Sequence, residues 1–260
     1  MIDLLYLTHN RLEFTQVSVR SILENTNWSL VNEVWVYEDR SIDGTRDFIE
    51  HIVWPVRSVF CAGHFGAPAA VMSHFLGGKD SGDTDIFCKL DNDVIVPPGW
   101  LDAAWGVMER SPELDLLGLE PPASRVPRMS GMAWSKTPEL NGGLNLNGHA
   151  HGYAPCDSIG GIGLMRRKAL VSDPNGRLSA LPHSKYSGFT EWQLGHPMVK
   201  KGWIAPPIRL FLLDRMPTEP WASLSRKYIQ KGWQRPWNNY SLESAPLLWE
   251  WAEELLAVHA

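Results

Sequence analysis

Asp91, Asn92 and Asp93 directly follow the run Ile86 to Leu90, apolar apart from Lys89. In an extended segment alternate side chains share a face, so Asp91 and Asp93 can converge on one cation. Two carboxylates completed by phosphate oxygens and waters commonly hold Mg²⁺ or Mn²⁺. An EF-hand is disfavoured, because no Gly follows at the sixth position and no Glu closes the loop. Two more polar clusters follow apolar runs: Thr8-His9-Asn10-Arg11, and Glu38-Asp39-Arg40-Ser41-Ile42-Asp43-Gly44-Thr45. Glu38 and Asp39 can accept hydrogen bonds from ribose hydroxyls or a base edge. Equally, Asp39 or Ser41 can cap the helix that comes next. His149 and His151 have a spacing that can bind metal, but no Cys or further ligand accompanies them, and they read as loop residues.

These clusters need a scaffold that brings strand ends together. The first half alternates short β-type runs with amphipathic stretches, the pattern of a mostly parallel sheet covered by helices. Strands are expected at 2–7, 34–37, 56–61, 86–90 and 114–119. Helices are expected at 12–25, with Leu12, Val19, Ile22 and Leu23 inward, and at about 43–53, 68–76 and 100–109. In such sheets ligands collect outside the carboxyl ends of the strands, where the three clusters stand. Residues 120 to 156 are rich in Pro, Gly and Asn and read as a long loop. Order resumes with a strand at 159–164 passing into a basic helix start, and with another strand at 208–212. The tail from Pro217 carries Trp221, Trp233, Trp237, Trp249 and Trp251 and ends in a helix with Leu247, Leu248, Trp251 and Leu255 along one stripe.

A length of 260 residues with 44% hydrophobic and 20% charged residues suits a globular chain with one sizeable core. The start, Met1 to Leu7, lacks the basic residues and apolar length of a signal peptide. No uncharged apolar stretch is long enough for a membrane span. Cys61, Cys88 and Cys156 are far apart and outside any CxxC pair, which fits a reducing cytoplasm. The net charge of −5 hides an asymmetry: residues 165–235 hold thirteen Lys or Arg against four acids, an excess of +9 that leaves −14 elsewhere. The later half therefore suits anionic ligands, or is a solvated basic face.

The order of these clusters resembles the nucleotide-sugar half of glycosyltransferase family 2, which has the GT-A fold. Leu7 to Arg11 is similar to the family's first strand and its Thr/Asn turn. Residues 38–45 are similar to its two acids and Ser-x-Asp-Gly-Thr, and Asp91-Asn92-Asp93 to its metal motif. Gly160 to Leu170 resembles the acceptor-side strand, and Gly188-Phe189-Thr190-Glu191-Trp192 the segment that supplies the base. The likeness runs over residues 2–215. It departs at Glu38, where the family has Asp, at Trp192, where a second acid is common, and at Ala67-Pro68-Ala69-Ala70, where polar residues are usual. The late metal-binding His has no counterpart, and Asp214 is its substitute here.

The resemblance implies an α/β, GT-A-like Rossmann-type sheet, mostly parallel and flanked by helices, with a helical Trp-rich C-terminal extension. The implied domain is 1–216, with a nucleotide-sugar half (1–119) and an acceptor half (120–216), and residues 217–260 packed on it. It implies metal-dependent transfer of a sugar from a UDP- or GDP-type donor to an acceptor hydroxyl, with inversion. Asp91, Asp93 and Asp214 would hold Mn²⁺ or Mg²⁺. Thr8, Asn10, Arg11, Glu38, Asp39, Lys89 and Asp91 would meet the donor. Glu191 would be the base, and Gly160, Gly161, Trp233 and Trp237 would face the acceptor, which is a glycan, a small molecule or a modified nucleic-acid base. A sugar nucleotidyltransferase should instead open with a Gly-rich loop, and Thr8-His9-Asn10-Arg11 has no glycine. A non-catalytic carbohydrate- or nucleic-acid-binding module would use the Trp and the basic half but leaves the acid pairs unexplained.

Overall fold

The computed structural model describes residues 1–63, 84–119, 153–155, 162–167, 201–204, 210–216 and 219–234. Along these run β1 (Ile2–Thr8), α1 (Leu12–Asn25), β2 (Val31–Glu38), α2 (Thr45–Glu50), β3 (Arg57–Ala62), β4 (Ile86–Asp91) and β5 (Val94–Ile95). There follow α3 (Trp100–Arg110), β6 (Leu116–Gly118), β7 (Tyr153–Pro155), β8 (Gly163–Arg166), β9 (Lys201–Ile204), β10 (Phe211–Leu212) and α4 (Trp221–Gln230). Eight strands form one sheet in the order β3-β2-β1-β4-β8-β6-β9-β7, and β5 pairs with β10 in a second.

The expected α/β architecture is present, and β3, β2, β1 and β4 are parallel. The later half is mixed, because β8 runs antiparallel to both β4 and β6. β1 is buried along its whole length, as a central parallel strand covered on both faces must be. Its single charge, Asp3, is buried with partners: Asn32 Nδ2 donates to one carboxylate oxygen at 3.0 Å and Thr84 Oγ1 to the other at 2.5 Å. That side chain ties β1 to the starts of β2 and β4.

The main core joins Val19 and Ile22 of α1, Ile49 of α2, and Trp100, Leu101, Ala104, Val107 and Met108 of α3 to the apolar residues of the sheet. Leu12 and Leu23, expected inward, are only half-buried. The second buried stripe of α1 is instead Phe14 with the small residues Thr15, Ser18 and Ser21. Phe14 joins a separate cluster with Ile95, Leu213, Met216 and Tyr228 that docks α4 on α1.

Several boundaries differ from expectation. α2 is shorter than 43–53: Gly44 caps it at φ 92°, and beyond Glu50 the chain tightens to His51 N–H to Phe48 O (3.2 Å) and Ile52 N–H to Ile49 O (3.3 Å). Pro55 then disfavours helical backbone in the residue before it. β5 has no signature in the sequence, because a two-residue strand carries no periodicity. β7 falls inside the expected 120–156 loop, at the edge of the sheet, where a Pro is tolerated. The basic helix start expected directly after Leu164 comes later: Arg166 still ends β8, and helical backbone begins at Arg167. Arg166 Nε donates to Leu114 O at 2.8 Å and its Nη2 to Met108 O and Ser111 O, satisfying carbonyls at the end of α3. The expected helices at 68–76 and in the final stripe lie outside the described residues.

A Cβ at Gly163 would stand 2.2 Å from the Leu117 carbonyl oxygen across the β6–β8 ladder. Gly163→Ala is therefore expected to lower stability by about 1–3 kcal/mol, the usual range for overpacking, measured as the urea midpoint against wild type.

Candidate active site

The carboxyl ends of four parallel strands lie in register. Thr8 pairs with Glu38, Leu7 with Asp91, and Glu38 with Ala62. This brings the three polar clusters to one edge of the sheet.

The loop after β1 is held in an uncommon backbone shape. Asn10 and Arg11 are both left-handed, at φ 51° and 66°. Each such non-glycine residue costs roughly 1–2 kcal/mol, so the surroundings must impose it. They do so through the loop after β2. Asn10 N–H donates to Ser41 Oγ at 2.8 Å, Ile42 N–H donates to Asn10 Oδ1 at 2.8 Å, and Leu12 N–H donates to Asp43 Oδ2 at 3.0 Å. Asp43 caps α1 from across the site and also accepts from Thr45 N–H at 3.1 Å. Half-buried between these hydrogen bonds, its carboxyl lies below the usual range: partial burial opposes the shift, and the bonds from Thr45 and Leu12 outweigh it. His9 Nδ1 donates to Asp39 O at 2.5 Å, and Asp39 N–H donates to Thr8 O at 2.9 Å.

That shape aims Arg11 at the turn after β4. Its Nη1 donates to Asp93 Oδ2 at 2.9 Å and its Nη2 to Asn92 Oδ1, while Asp214 Oδ2 lies 4.0 Å from Nη1. The Arg11, Asp93 and Asp214 side chains are 14%, 6% and 5% exposed. Asp214 arrives through the small second sheet: Val94 pairs with Leu212, and Leu213 N–H donates to Asp93 O at 2.7 Å. Burial, and then the neighbouring Asp93 charge, push the Asp214 carboxyl well above its ordinary value, against Arg11 and Arg215. Its Oδ1 accepts no hydrogen bond among the described residues and stands 3.9 Å from Arg215 Nε. The Arg11 guanidinium stays protonated: burial opposes its charge, but Asp93 and Asp214 raise its pKa.

Asn92, read in the sequence only as the spacer between two acids, is the knot of the site. It is 2% exposed. Its Nδ2 donates to Asn10 O at 2.7 Å and to Thr15 Oγ1 at 2.9 Å, while its Oδ1 receives Arg11. An amide carries donors and an acceptor on one planar head, which is the chemical signal that distinguishes it from the flanking carboxylates.

Because residues 92 and 93 form a turn, the alternation expected of an extended segment does not apply, and Asp91 and Asp93 have different partners. Asp91 Oδ1 accepts from Lys89 Nζ at 2.6 Å, and its side chain keeps 34% of its surface exposed. Lys89 is buried in β4, so its ammonium fixes Asp91 from within the sheet. Among the described residues no three His, Cys, Asp or Glu side chains form a metal-binding group. Glu38 is fully buried: Oε1 accepts from Ser41 N–H at 2.5 Å, and Oε2 has no partner among the described residues. Asp39 is half-buried at the same edge. Trp233 packs on Tyr228, with ring centroids 5.9 Å apart, and Lys231 Nζ lies 4.2 Å from its ring centre. Glu191, Gly160, Gly161, Trp237, His149 and His151 lie outside the described residues.

The polar edge stands where ligands collect in an α/β sheet, outside the carboxyl ends of its parallel strands. The chain belongs to glycosyl transferase family 2, whose family model matches residues 5–170. No curated protein matches it. Among solved structures it is similar to S. aureus TarS 1–349, with a TM-score of 0.54 and 12% identity over 81% of this chain and 60% of that one. TarS 1–349 in complex with UDP-GlcNAc gives a TM-score of 0.53 and 10% identity over 81% and 57%. The mannosyltransferase PcManGT from Pyrobaculum calidifontis, in complex with GDP-Man and Mn²⁺, gives 0.54 and 14% over 85% and 59%. The chain thus spans about 60% of the length of these proteins, and the likeness establishes the GT-A fold. Among the described residues no helix is long and apolar enough to cross a membrane.

Two outcomes test the ion cluster. Arg11→Met leaves two buried acids without their cation and should cost about 3–5 kcal/mol in urea unfolding, the range for breaking a buried pair. The raised Asp214 carboxyl binds its proton more tightly folded than unfolded. Stability should therefore rise as pH falls through its folded value, levelling near the unfolded value of about 3.9. Asp214→Asn should remove that rise, measured in chelator as the difference between wild-type and variant midpoints along the pH series.

Proposed function

We propose that the chain transfers a sugar from a UDP- or GDP-type donor to an acceptor hydroxyl at the edge formed by the ends of β1, β2 and β4. The observation that carries this is the joining of the Arg11 turn, the Glu38-Asp39 end and the Asp91-Asp93 turn into one hydrogen-bonded edge. Family membership supports it.

Charge balance supports a divalent ion. Asp91, Asp93 and Asp214 are matched by Lys89, Arg11 and Arg215, so the turn has little surplus positive charge for a diphosphate. An ion that arrives with a diphosphate needs only one or two protein carboxylates. The part-exposed Asp91 fits that role, with Asp93 beside it and Asp214 behind. Bound Mn²⁺ or Mg²⁺ would supply Lewis-acid stabilisation of the diphosphate as negative charge develops on it. Lys89 holds Asp91, Asn92 and Arg11 hold the turn, and Asp39 accepts from a ribose hydroxyl. Glu38, buried beneath it, supports the donor end by holding the loop after β2 through Ser41. The acceptor oxygen forms its bond to the anomeric carbon, the carbon–oxygen bond to the diphosphate breaks with its electron pair, and the hydroxyl proton passes to Glu191. Attack opposite the leaving group inverts the anomeric centre. The acceptor is a glycan, a small molecule or a modified nucleic-acid base, with Gly160, Gly161, Trp233 and Trp237 on its side. Cys61 and Cys88 are free thiols, which supports a cytoplasmic location.

The test is nucleotide release from UDP-, GDP- and dTDP-sugars with Mn²⁺, Mg²⁺ or chelator. Release from one donor, requiring metal and reduced about 10²-fold or more by Asp91→Asn, is expected, a loss comparable to removing one preorganised electrostatic contact. Glu191→Gln should lower turnover by roughly 10²- to 10⁴-fold with donor affinity retained. Absence of release from every donor would overturn the proposal.

A further inference from the structure

We infer that α4 is a positioning element of the transfer site, acting through Ser225 on Asp214 and through Tyr228 on the turn that carries Arg11. The inference rests on the function proposed above and concerns residues outside the polar edge.

Arg11 and Asp214 come from opposite ends of the described chain, and their approach to 4.0 Å requires two distant segments to be held together. α4 touches both. Ser225 is buried, and its Oγ donates to the Asp214 carbonyl at 2.7 Å. Gln234 Nε2 donates to that same Oγ at 2.5 Å, which leaves the hydroxyl proton to point at Asp214. Serine is a mediocre helix former that commonly turns its hydroxyl back on its own helix. Here it reaches out of the helix to the peptide that bears the Asp214 side chain.

Three residues on, Tyr228 OH donates to Glu13 Oε2, while Lys227 Nζ donates to Glu13 Oε1 at 2.6 Å. Glu13 lies in the first turn of α1, two residues after Arg11. The Tyr228 ring meets Phe14 edge-on, with centroids 5.0 Å apart at 78°. Ile95, Leu213 and Met216 complete this cluster, which is separate from the main core. Apolar packing alone would suffice to dock a helix. The two directed polar contacts add registration of the Asp214 peptide and of the α1 start, and functional groups need placement within about 0.5 Å.

The experiment compares Ser225→Ala, Ser225→Thr and Tyr228→Phe with wild type for kcat and KM of the donor, together with thermal unfolding. Ser225→Ala should lower kcat about tenfold, in line with the cost of a sub-ångström misplacement, and leave the donor KM within about twofold. Ser225→Thr, which keeps the hydroxyl, should recover most of the loss. In an Asp214→Asn background Ser225→Ala should add little, because both changes act through one peptide. An unchanged kcat in Ser225→Ala, equal losses in both backgrounds, or a loss that merely follows unfolding would overturn the inference. Should Ser225→Ala fail to fold, Tyr228→Phe decides by the same kcat and KM criterion. Wild-type turnover with these negative results would overturn the positioning role alone, whereas no wild-type turnover from any donor would overturn the transferase function and this role with it.

Discussion

The rest of the site depends on a buried guanidinium. Arg11 is held between Asn92 and Asp93 with Asp214 close behind, and a cation so enclosed is tolerable only because carboxylates meet it there. The requirement works in both directions. Asp93 and Asp214 stand near enough to repel each other, and without Arg11 their common burial would be prohibitive. To reach them, Arg11 leaves β1 through two consecutive left-handed residues, and the loop after β2 imposes that shape with Ser41, Ile42 and Asp43. The ends of three strands are thereby locked by one set of interactions, and the polar edge of the sheet has a defined geometry before any ligand arrives.

This arrangement also explains the division of labour among the acids. Asp93 and Asp214 are committed largely to Arg11, whereas Asp91 faces outward on a short tether to Lys89. A site whose own charges balance will not attract a diphosphate strongly, and an accompanying divalent ion resolves that. The same architecture makes the end of the described chain part of the site. β10 and the following turn deliver Asp214, and α4 fastens that turn to α1.

Much of this was legible in the sequence where a residue's role follows from its place after a strand. The run Ile2 to Leu7 reads as a buried strand because it is apolar apart from Asp3, and Thr8 to Arg11 must then fall at its carboxyl end. The same logic located Glu38-Asp39 and Asp91-Asn92-Asp93. The order of strands and helices through residue 63 followed from periodicity, although α2 stopped early ahead of Pro55. What periodicity does not carry is the two-residue pairing of β5 with β10, and hence the reason Asp214 stands beside Asp93. Nor does it carry the turn at Asn92 and Asp93, which separates two acids that an extended chain would align. Asn92 does not stand out by spacing, which weighs charges, whereas its role comes from the mixed donor and acceptor character of an amide. Lys89 was expected to meet the donor, and a lysine inside a strand gives no sign of whether its ammonium turns outward or, as here, toward its own carboxylate two residues on.

The measurement that tests the central claim most directly is amide hydrogen exchange of the full chain with UDP or GDP, in the presence and absence of Mn²⁺. If the edge built around Arg11 is the donor site, one nucleotide should slow exchange in residues 8–12, 38–45 and 89–93, and should do so more strongly with the metal. Protection confined to the opposite end of the strands, around Asn32, Thr84 and Trp105, where a cleft of about 420 Å³ opens, would contradict the account.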